Sequence, residues 1–325
     1  MSSTVRMLTR ARSICVAVAA LAFVTALATK SQVAQSQPSF AQAFSFALIG
    51  DLGYYPQHES WVDNVFADIN KDASLAFVVH VGDLSRPVHA CTDELLARRL
   101  AQFNASVHPV VFTPGDNDWT DCHEKQGVKD GDPLARLAKL RSMFFQGEQS
   151  LGKRTIPLVR QSTDPAFAKF RENVRWDMGS VTFVTLHVVG SNNNLGRAPE
   201  SDLEYAERDK ANLAWLQQGF AHARANNSRA VMILQQANIF PNPPAPTAKG
   251  PSGFADTLAL LVTFSESTTR SGKGHREERP AFLRLKTSSG LRLLVHRTTI
   301  GSMPPSSRMI TTSSPSAPES SRQML

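Results

Sequence analysis

Three short apolar runs in the first third of the chain each end in a glycine followed by an aspartate. The aspartates are Asp51, Asp83 and Asp116, and the glycines are Gly50, Gly82 and Gly115. Their spacings of 32 and 33 residues leave room for a strand, a crossover helix and a return to a parallel strand. Ligands bind at the carboxyl ends of the strands in open α/β sheets, so the three carboxylates are expected to meet there.

Clustered carboxylates repel one another unless a cation lies among them, and carboxylate oxygens are the ligands that hard divalent cations prefer. A single Gly-Asp after a strand is more often a turn, but three in register favour a metal site. Asp83 follows the most apolar of the three runs, which predicts a central strand and makes Asp83 the candidate bridge between two ions. Two ions about 3.5 to 4 Å apart can flank the attacking and leaving oxygens of a phosphoryl transfer.

Apolar spacing predicts helices between these strands, and later segments continue the alternation. The helical faces lie within 61–69 and 96–103, and Asp132-Pro133 begins a third helix. The later predicted elements are strands 181–189 and 230–236 and helices 202–224 and 252–261. The fold class is therefore predicted to be α/β.

Residues 1–43 have the features of a secretory signal peptide. They carry four basic residues and no acid, with an apolar core that is too short to span a bilayer comfortably. Cleavage after Ala43 would release a chain that begins just before the first strand. A retained N-terminal anchor is the alternative. The pattern predicts a secreted protein, periplasmic or extracellular, with no stable membrane anchor.

Residues 263–325 differ in composition from the body. They contain 13 Ser and 8 Thr but no Asp, Trp or Tyr. This tail carries +6 and residues 1–43 carry +4 of the net charge of +7, so the body, 44–262, carries −3. The basic charge therefore lies outside the body, and we predict no nucleic-acid binding through the tail.

Cys91 and Cys122 are the two cysteines of the body. In an oxidising compartment such a pair favours a disulfide. Two unpaired thiols, or thiolate metal ligands, are the alternatives.

The third motif and two later segments resemble a known family. The segments are Thr113–Cys122 (TPGDNDWTDC), Arg171–Trp176 (RENVRW) and Leu186–Asn193 (LHVVGSNN). They are similar to a secreted bacterial subgroup of the calcineurin-like metallophosphoesterases, over about residues 44–262. The resemblance implies a four-layered α-β-β-α sandwich, two divalent metal ions (Mn, Fe, Zn or Mg) and hydrolysis of phosphate mono- or diesters by a metal-activated water. It assigns Asp51, Asp83 and Asp116 to the metals.

The chain departs from the family pattern at several histidines. Gly53 stands where a metal-binding histidine is expected, and Asn117 stands where the catalytic histidine is expected. Asn117 can hydrogen-bond a phosphate oxygen but cannot donate a proton as His⁺ does. Gln236 lies where a further metal-binding histidine is expected, either as an oxygen ligand or as a structural amide. His187, before a polar loop, is the second candidate catalytic residue, with a structural turn as the alternative.

The last family motif, a Gly-His-x-His or Gly-Asp-x-His after the helix at 252–261, is missing. The abrupt change near residue 262 suggests that the tail is translated out of frame, so that the sandwich is incomplete at its C-terminus. A natural disordered extension is the alternative.

The sequence therefore predicts a secreted metal-dependent phosphoesterase that acts on a phosphate-ester substrate. The alternative is a catalytically impaired or inactive protein of the same fold with a binding role. A dinucleotide-binding domain is a weaker hypothesis, because no Gly-x-Gly-x-x-Gly follows a strand. The oligomeric state is left open.

Overall fold

The computed structural model describes residues 44–240, 252–270, 282–286, 292–297 and 309–311, with the backbone alone over 266–270 and the last three segments. The strands are β1 Ser45–Ile49, β2 Leu75–His80, β3 Val110–Phe112, β4 Val159–Arg160, β5 Val174–Met178, β6 Val181–Thr185, β7 Ala230–Leu234, β8 Phe282–Lys286, β9 Arg292–Arg297 and β10 Met309–Thr311. The helices are α1 Glu59–Lys71, α2 Pro87–Ala90, α3 Asp93–Ala105, α4 Pro133–Phe144, α5 Pro199–Ala225 and α6 Ala255–Arg270.

The strands form two sheets. The first has the order β10-β1-β2-β3 and is parallel throughout. The second has the order β4-β5-β6-β7-β9-β8, in which only β6 and β7 are parallel. The predicted α/β class is confirmed, and β2 lies between β1 and β3 as its apolar composition predicted.

Three large apolar clusters hold these elements together. The first packs α1, α3 and α4 against the first sheet, with Phe66, Phe103 and Phe112 among its members. The second joins side chains of both sheets, including Phe77 and Trp176, whose rings meet edge to face at 5.5 Å. The third cluster packs α5 and α6 against the second sheet. Burial of these faces supplies the main driving force for the fold.

Local signals fix where several helices begin. The Asp132 side chain accepts hydrogen bonds from the backbone N–H groups of Leu134 and Ala135, and Pro133 occupies the first turn of α4. Thr92 caps α3 in the same way through Leu95. The predicted start of α4 is confirmed, because capping and proline preferences act within one turn and do not depend on tertiary packing.

Several predicted boundaries were wrong. The strand predicted over 181–189 ends at Thr185, and the one predicted over 230–236 ends at Leu234. The buried apolar residues beyond Thr185, including Leu186 and Val188, are core residues in loop conformation. Burial alone does not separate a strand from a packed loop, which is why the apolar pattern overextended the strand.

The helix predicted over 252–261 is also longer in the structure, because α6 continues to Arg270. It therefore crosses the composition boundary near residue 262. The backbone of β8, β9 and β10 lies within the tail, where β9 pairs with β7 and β10 pairs with β1. Whether the tail is the native continuation or an out-of-frame product remains a prediction. The predicted signal peptide, 1–43, lies outside the described residues.

None of the helices in the described segments combines the length and the apolar character that a membrane crossing requires.

Candidate metal centre

Asp51, Asp83 and Asp116 lie together just beyond the carboxyl ends of β1, β2 and β3. Asp83 is the middle member, because the Tyr54 hydroxyl links it to Asp51 and the Asn117 backbone N–H links it to Asp116. Asp83 is also the most deeply buried of the three, at 3% exposure. The clustering follows from the order of the parallel strands, as the regular spacing of the three motifs predicted.

Two of these aspartates have strained backbones. Asp51 and Asp83 both have φ of 56°, in the left-handed region that non-glycine residues rarely adopt. Such a conformation costs on the order of 1 kcal/mol per residue and persists only where neighbouring contacts enforce it. Here the Asp51 N–H donates to the carbonyl of Gly82, and the Asp83 N–H donates to the Asp118 carboxylate. The strain turns both carboxyl groups toward the same point.

Tyr54 bridges the first two motifs. Its hydroxyl lies 3.0 Å from Asp51 Oδ1 and 2.8 Å from Asp83 Oδ2. A phenol carries one proton, so it donates to one carboxylate at a time, and the second contact requires another proton or a cation. Burial and the two neighbouring carboxylates raise the pKa of Tyr54 above its usual range, so the phenol stays protonated near neutral pH.

Asn117 links the second and third motifs. Its backbone N–H donates to Asp83 Oδ1 at 3.3 Å and to Asp116 Oδ1 at 3.0 Å, and its side-chain amide donates to Asp83 Oδ2 at 3.3 Å. Asn117, predicted as a catalytic residue, therefore lies inside the carboxylate cluster, at 9% exposure.

Gln236 also reaches the cluster, but through its nitrogen. Gln236 Oε1 accepts the backbone N–H of Gly190 at 2.7 Å, and Gln236 Nε2 donates to Asp116 Oδ1 at 3.2 Å. Because the Gly190 N–H can only donate, it fixes the amide in this orientation. An amide nitrogen is not a metal ligand in this state, so the contacts match the structural amide rather than the oxygen ligand.

Asp118 fixes the second motif against the third. Its carboxylate accepts backbone N–H groups from Asp83 at 3.0 Å, Leu84 at 2.7 Å and Gly115 at 2.7 Å. Burial raises the pKa of Asp118, the three hydrogen bonds oppose that rise, and the resulting pKa is about 7. One buried side chain therefore sets the distance between the loops that carry Asp83 and Asp116.

The glycines before the aspartates allow these loops to touch. A Cβ atom on Gly82 would collide with the backbone of Gly115, and one on Gly115 would collide with Asp83 Oδ1. Gly82 also has φ of 89°, which favours glycine. Close approach of the two loops thus requires glycine at the second and third motifs.

A left-handed turn delivers Ser191 to the cluster. Four successive residues have positive φ: Ser191 at 49°, Asn192 at 53°, Asn193 at 54° and Asn194 at 71°. Ser191 Oγ lies 3.1 Å from Asp116 Oδ2 and 2.7 Å from Asp121 Oδ1. The turn is held by its own amides, since Asn193 bonds to Arg208 and Gly253 and Asn194 bonds to Glu204. Strain of this kind concentrates at functional sites.

The three carboxylates lack a compensating positive charge. Burial is the largest cause that raises the pKa of Asp51, Asp83 and Asp116, and repulsion from a neighbouring carboxylate raises each of them further. Among the described residues, no lysine, arginine or histidine forms an ion pair with any of the three. The cluster therefore has the charge that a divalent cation would neutralise.

The donor set fits a hard divalent cation in its chemistry, because it consists of carboxylate oxygens. Its oxygens are engaged by the hydrogen-bond donors Tyr54, Asn117, Gln236 and Ser191. In the part of the chain that the structure describes, no group of three or more His, Cys, Asp or Glu side chains is arranged to hold a metal ion. A cation that binds this cluster would therefore have to displace these hydrogen-bond donors from the carboxylate oxygens.

No family model and no curated protein matches this chain. Its function is therefore inferred from the sequence motifs and from the geometry of the carboxylate cluster.

His187, the second predicted catalytic residue, does not join the cluster. It is fully buried, and its Nδ1 lies 2.7 Å from Oε1 of Glu172, which also binds Arg141. The His187 carbonyl accepts hydrogen bonds from Arg208 and Asn212. These contacts make His187 part of a buried polar network behind the site. Its position matches a structural role rather than a catalytic one.

This network predicts that the protein loses stability in acid. Burial lowers the pKa of His187, and the Glu172 contact opposes that shift without reversing it. Burial raises the pKa of Glu172, but Arg141 and His187 outweigh it and hold the pKa below its usual range. As the pH falls, the unfolded chain gains the His187 proton first, from about pH 6.5, and then the Glu172 proton, from about pH 4.3. Stability should therefore fall in both windows.

The measurement is urea unfolding of the wild type and of His187→Gln between pH 7.5 and 4. The stability of the wild type should fall faster than that of the variant below pH 6.5, with the difference in slope approaching about 1.4 kcal/mol per pH unit near pH 5.5. Parallel curves for the two proteins would show that His187 does not contribute.

A disulfide joins Cys91 to Cys122, with the Cα atoms 5.6 Å apart, as the sequence predicted. Cys91 follows α2 and Cys122 follows the third motif, so the bond closes the loop that contains Asp116 and Asn117. Both sulfur atoms lie within 4.0 Å of the Asn117 carbonyl oxygen. The bond restrains the segment that carries the third carboxylate.

Replacing both cysteines with serine should lower the free energy of unfolding by roughly 3 to 4 kcal/mol, because the bond closes a loop of about 32 residues. Urea unfolding of the wild type and the double variant, each with and without dithiothreitol, tests this. The reductant should destabilise the wild type alone. If the free energy of unfolding of the fully reduced wild type equals that of the oxidised wild type, the expectation is contradicted.

Tyr54, Asp118 and Ser191 are the site residues that the sequence did not single out. Tyr54 and Asp118 each lie within three positions of a motif aspartate. Their polar character and this short spacing could have identified them as candidate site residues. Ser191 belongs to the polar loop that follows His187, and nothing in the loop's composition distinguishes it from its neighbours. Their contacts span 29, 35 and 75 residues respectively, and no local pattern encodes such distances.

Proposed function

We propose that this protein is a metal-dependent phosphoesterase of the calcineurin-like type. The arrangement of its three apolar clusters supports the four-layered α-β-β-α sandwich, with helices packed outside each sheet and side chains of both sheets packed between them. The motifs of residues 113–122, 171–176 and 186–193 support the same assignment.

One observation carries the proposal. Asp51, Asp83 and Asp116 lie at the carboxyl ends of three adjacent parallel strands and are linked by the shared donors Tyr54 and Asn117, with strained backbones at two of them and no described cation paired with any. Burying three neighbouring carboxylates does not favour their charged form, since burial raises the pKa of all three and the charge of Asp116 raises the pKa of Asp51 and Asp83 further. A cation site explains why the fold retains them.

In this proposal, Asp51, Asp83 and Asp116 hold divalent metal ions, with Asp83 between its two neighbours. A bound divalent ion supplies Lewis-acid polarisation of a phosphate ester and a lower pKa for a coordinated water. Asn117 orients Asp83 and offers its amide N–H groups to a phosphate oxygen. Gln236 and Ser191 hold Asp116 in position through hydrogen bonds to both of its oxygens.

No imidazole lies at position 117 to protonate a leaving group. The amide of Asn117 cannot donate a proton in this way. Phosphate esters with good leaving groups, such as nitrophenolate, are therefore the expected substrates, and alkyl esters are expected to react slowly.

The disulfide supports the proposal that the protein is secreted to the periplasm or beyond, since disulfides persist in oxidising compartments.

A binding protein that keeps the fold without catalysis is the second candidate. The observation that favours it is the engagement of the carboxylate oxygens by Tyr54 and Asn117, together with Gly53 and Asn117 at positions where the family has histidines. Such a protein would bind a cation or a phosphate ester and release it unchanged.

The test is hydrolysis of 4-nitrophenyl phosphate and bis(4-nitrophenyl) phosphate by the purified protein, treated first with EDTA and then with Mn²⁺, Mg²⁺, Zn²⁺ or Fe²⁺. Release of nitrophenolate that depends on an added metal is the expected result. Calorimetric titration with Mn²⁺ in the same buffer separates the candidates: Mn²⁺ binding without release supports the binding protein, and absence of both contradicts the metal site.

A further inference from the structure

A partly exposed aromatic and basic cluster lies near the loops that carry Asp51 and Asp83. It consists of Tyr55, His58, Trp61 and Arg86, which we call the rim cluster. The His58 and Trp61 rings stack at 4.0 Å with an interplanar angle of 11°, and the Tyr55 and His58 rings meet edge to face at 5.1 Å. The Arg86 guanidinium lies 5.3 Å from the centre of the Tyr55 ring. Tyr55 is 45% exposed.

The chain holds the rim cluster close to the site. Tyr55 follows Tyr54, whose hydroxyl contacts Asp51 and Asp83, and Arg86 is three residues beyond Asp83. The Ser85 hydroxyl donates to the Gly53 carbonyl at 2.7 Å, which ties together the two loops that carry Tyr55 and Arg86. This buried bond therefore holds the loop segments before Tyr55 and Arg86 next to each other.

The charges of the rim cluster fit an anion. Among the described residues, no carboxylate lies within ion-pair distance of Arg86, whereas Arg98 and Arg99 on α3 both pair with Glu59. An arginine guanidinium can donate two parallel N–H groups to the oxygens of a phosphate, and it remains charged at every physiological pH. An exposed tyrosine offers a planar surface on which another aromatic ring can stack.

We infer that the rim cluster binds the alcohol portion of the substrate, and that the substrate class is phosphate esters of planar aromatic groups. The aromatic group stacks against Tyr55, and Arg86 pairs with a phosphate oxygen. This inference rests on the proposed function and adds the substrate class to it. An aryl phosphate and a nucleotide share this chemistry, since both place a planar ring near a phosphate.

Binding of phosphonates tests the inference without turnover, because the P–C bond is not hydrolysed. Phenylphosphonate and cyclohexylphosphonate have similar size, but only the first is planar. Calorimetry with the Mn²⁺-loaded full chain should show that phenylphosphonate binds about tenfold more tightly, as expected for one stacked ring. A phosphonate analogue of adenosine 5′-phosphate, compared with phenylphosphonate, distinguishes a nucleotide from a simple aryl ester.

Tyr55→Leu should remove the preference for the planar ligand and leave the affinity for cyclohexylphosphonate unchanged. Arg86→Gln should weaken both phosphonates by a similar factor, about tenfold. Tyr205→Leu, on α5, is the matched control and should behave as the wild type. Thermal unfolding verifies that each variant is folded.

Equal affinities for the two phosphonates in the wild type would overturn the inference, and so would a preference that survives Tyr55→Leu. Failure of the proposed function gives a different result. If nitrophenyl esters are not hydrolysed but the Tyr55-dependent preference is present, the rim cluster is a binding site for aromatic phosphates in a protein without phosphoesterase activity. Hydrolysis without any phosphonate binding would contradict the inference alone.

Discussion

The Asp83→Asn variant is expected to have at least about 100-fold lower metal-dependent hydrolytic activity than the wild type. Even mutation of residues that only orient metal ligands lowers metal affinity or activity by about 10- to 100-fold. Without added metal, the same variant should be more stable than the wild type by about 1 kcal/mol. Both effects have one origin. Asp83 is buried between Asp51 and Asp116, and its charge is favourable only when a cation is present.

The measurement is thermal unfolding of both proteins with EDTA and with Mn²⁺, beside the nitrophenyl phosphate assay. Mn²⁺ should raise the melting temperature of the wild type and leave that of Asp83→Asn unchanged. Asp209→Asn is the matched control. Asp209 is a buried carboxylate on α5, with its pKa raised to about 6 by burial and by Asp256. Its replacement should relieve charge repulsion in the same way but retain activity and the response to Mn²⁺.

If Asp83→Asn keeps both its Mn²⁺ response and its activity, the cluster is not the metal site. Loss of activity with the Mn²⁺ response intact would instead place Asp83 in catalysis without metal binding.

The Asp118→Ala variant is expected to lower the free energy of unfolding by about 3 to 9 kcal/mol, because it leaves three buried N–H groups without an acceptor, at about 1 to 3 kcal/mol each. The groups are those of Asp83, Leu84 and Gly115. Activity should fall as well, because nothing would then hold the second motif against the third. Asp118→Asn should lie between the wild type and the alanine variant, since an amide oxygen can replace Oδ2 but not both oxygens.

Asp132→Ala is the matched control for this variant. Asp132 also accepts two backbone N–H groups, but it caps α4 at an exposed position. Water can replace it there, so its loss should cost about 1 kcal/mol. Urea unfolding and the hydrolysis assay of all four proteins measure both effects. Equal losses for Asp118→Ala and Asp132→Ala would show that burial of the acceptor is not what stabilises the two loops.

Three of the four strands of the first sheet could be predicted because their signals are local. The apolar runs before Asp51, Asp83 and Asp116 define three strands, and their spacing fits parallel pairing. The start of α4 could be predicted for the same reason, since Asp132 and Pro133 act within one turn. The boundaries of β6 and α6 could not, because apolar side chains are buried in loops and in helices alike.

Two features of the site could be predicted from the residues alone, namely the convergence of three carboxylates on one sheet edge and the pairing of Cys91 with Cys122, whereas the place of Asn117 was implied by the family resemblance. They follow from strand order and from chemistry within short segments, which the order of residues encodes directly.

Other features required the folded chain. Tyr54 bridges Asp51 and Asp83, and Gln236 presents its nitrogen to Asp116. The burial of His187 beside Glu172 and the approach of the Arg86 guanidinium to the Tyr55 ring belong to the same class. Apart from the local contact of Tyr54 with Asp51, these contacts join segments 15 to 120 residues apart, so their geometry exists only after the chain has folded.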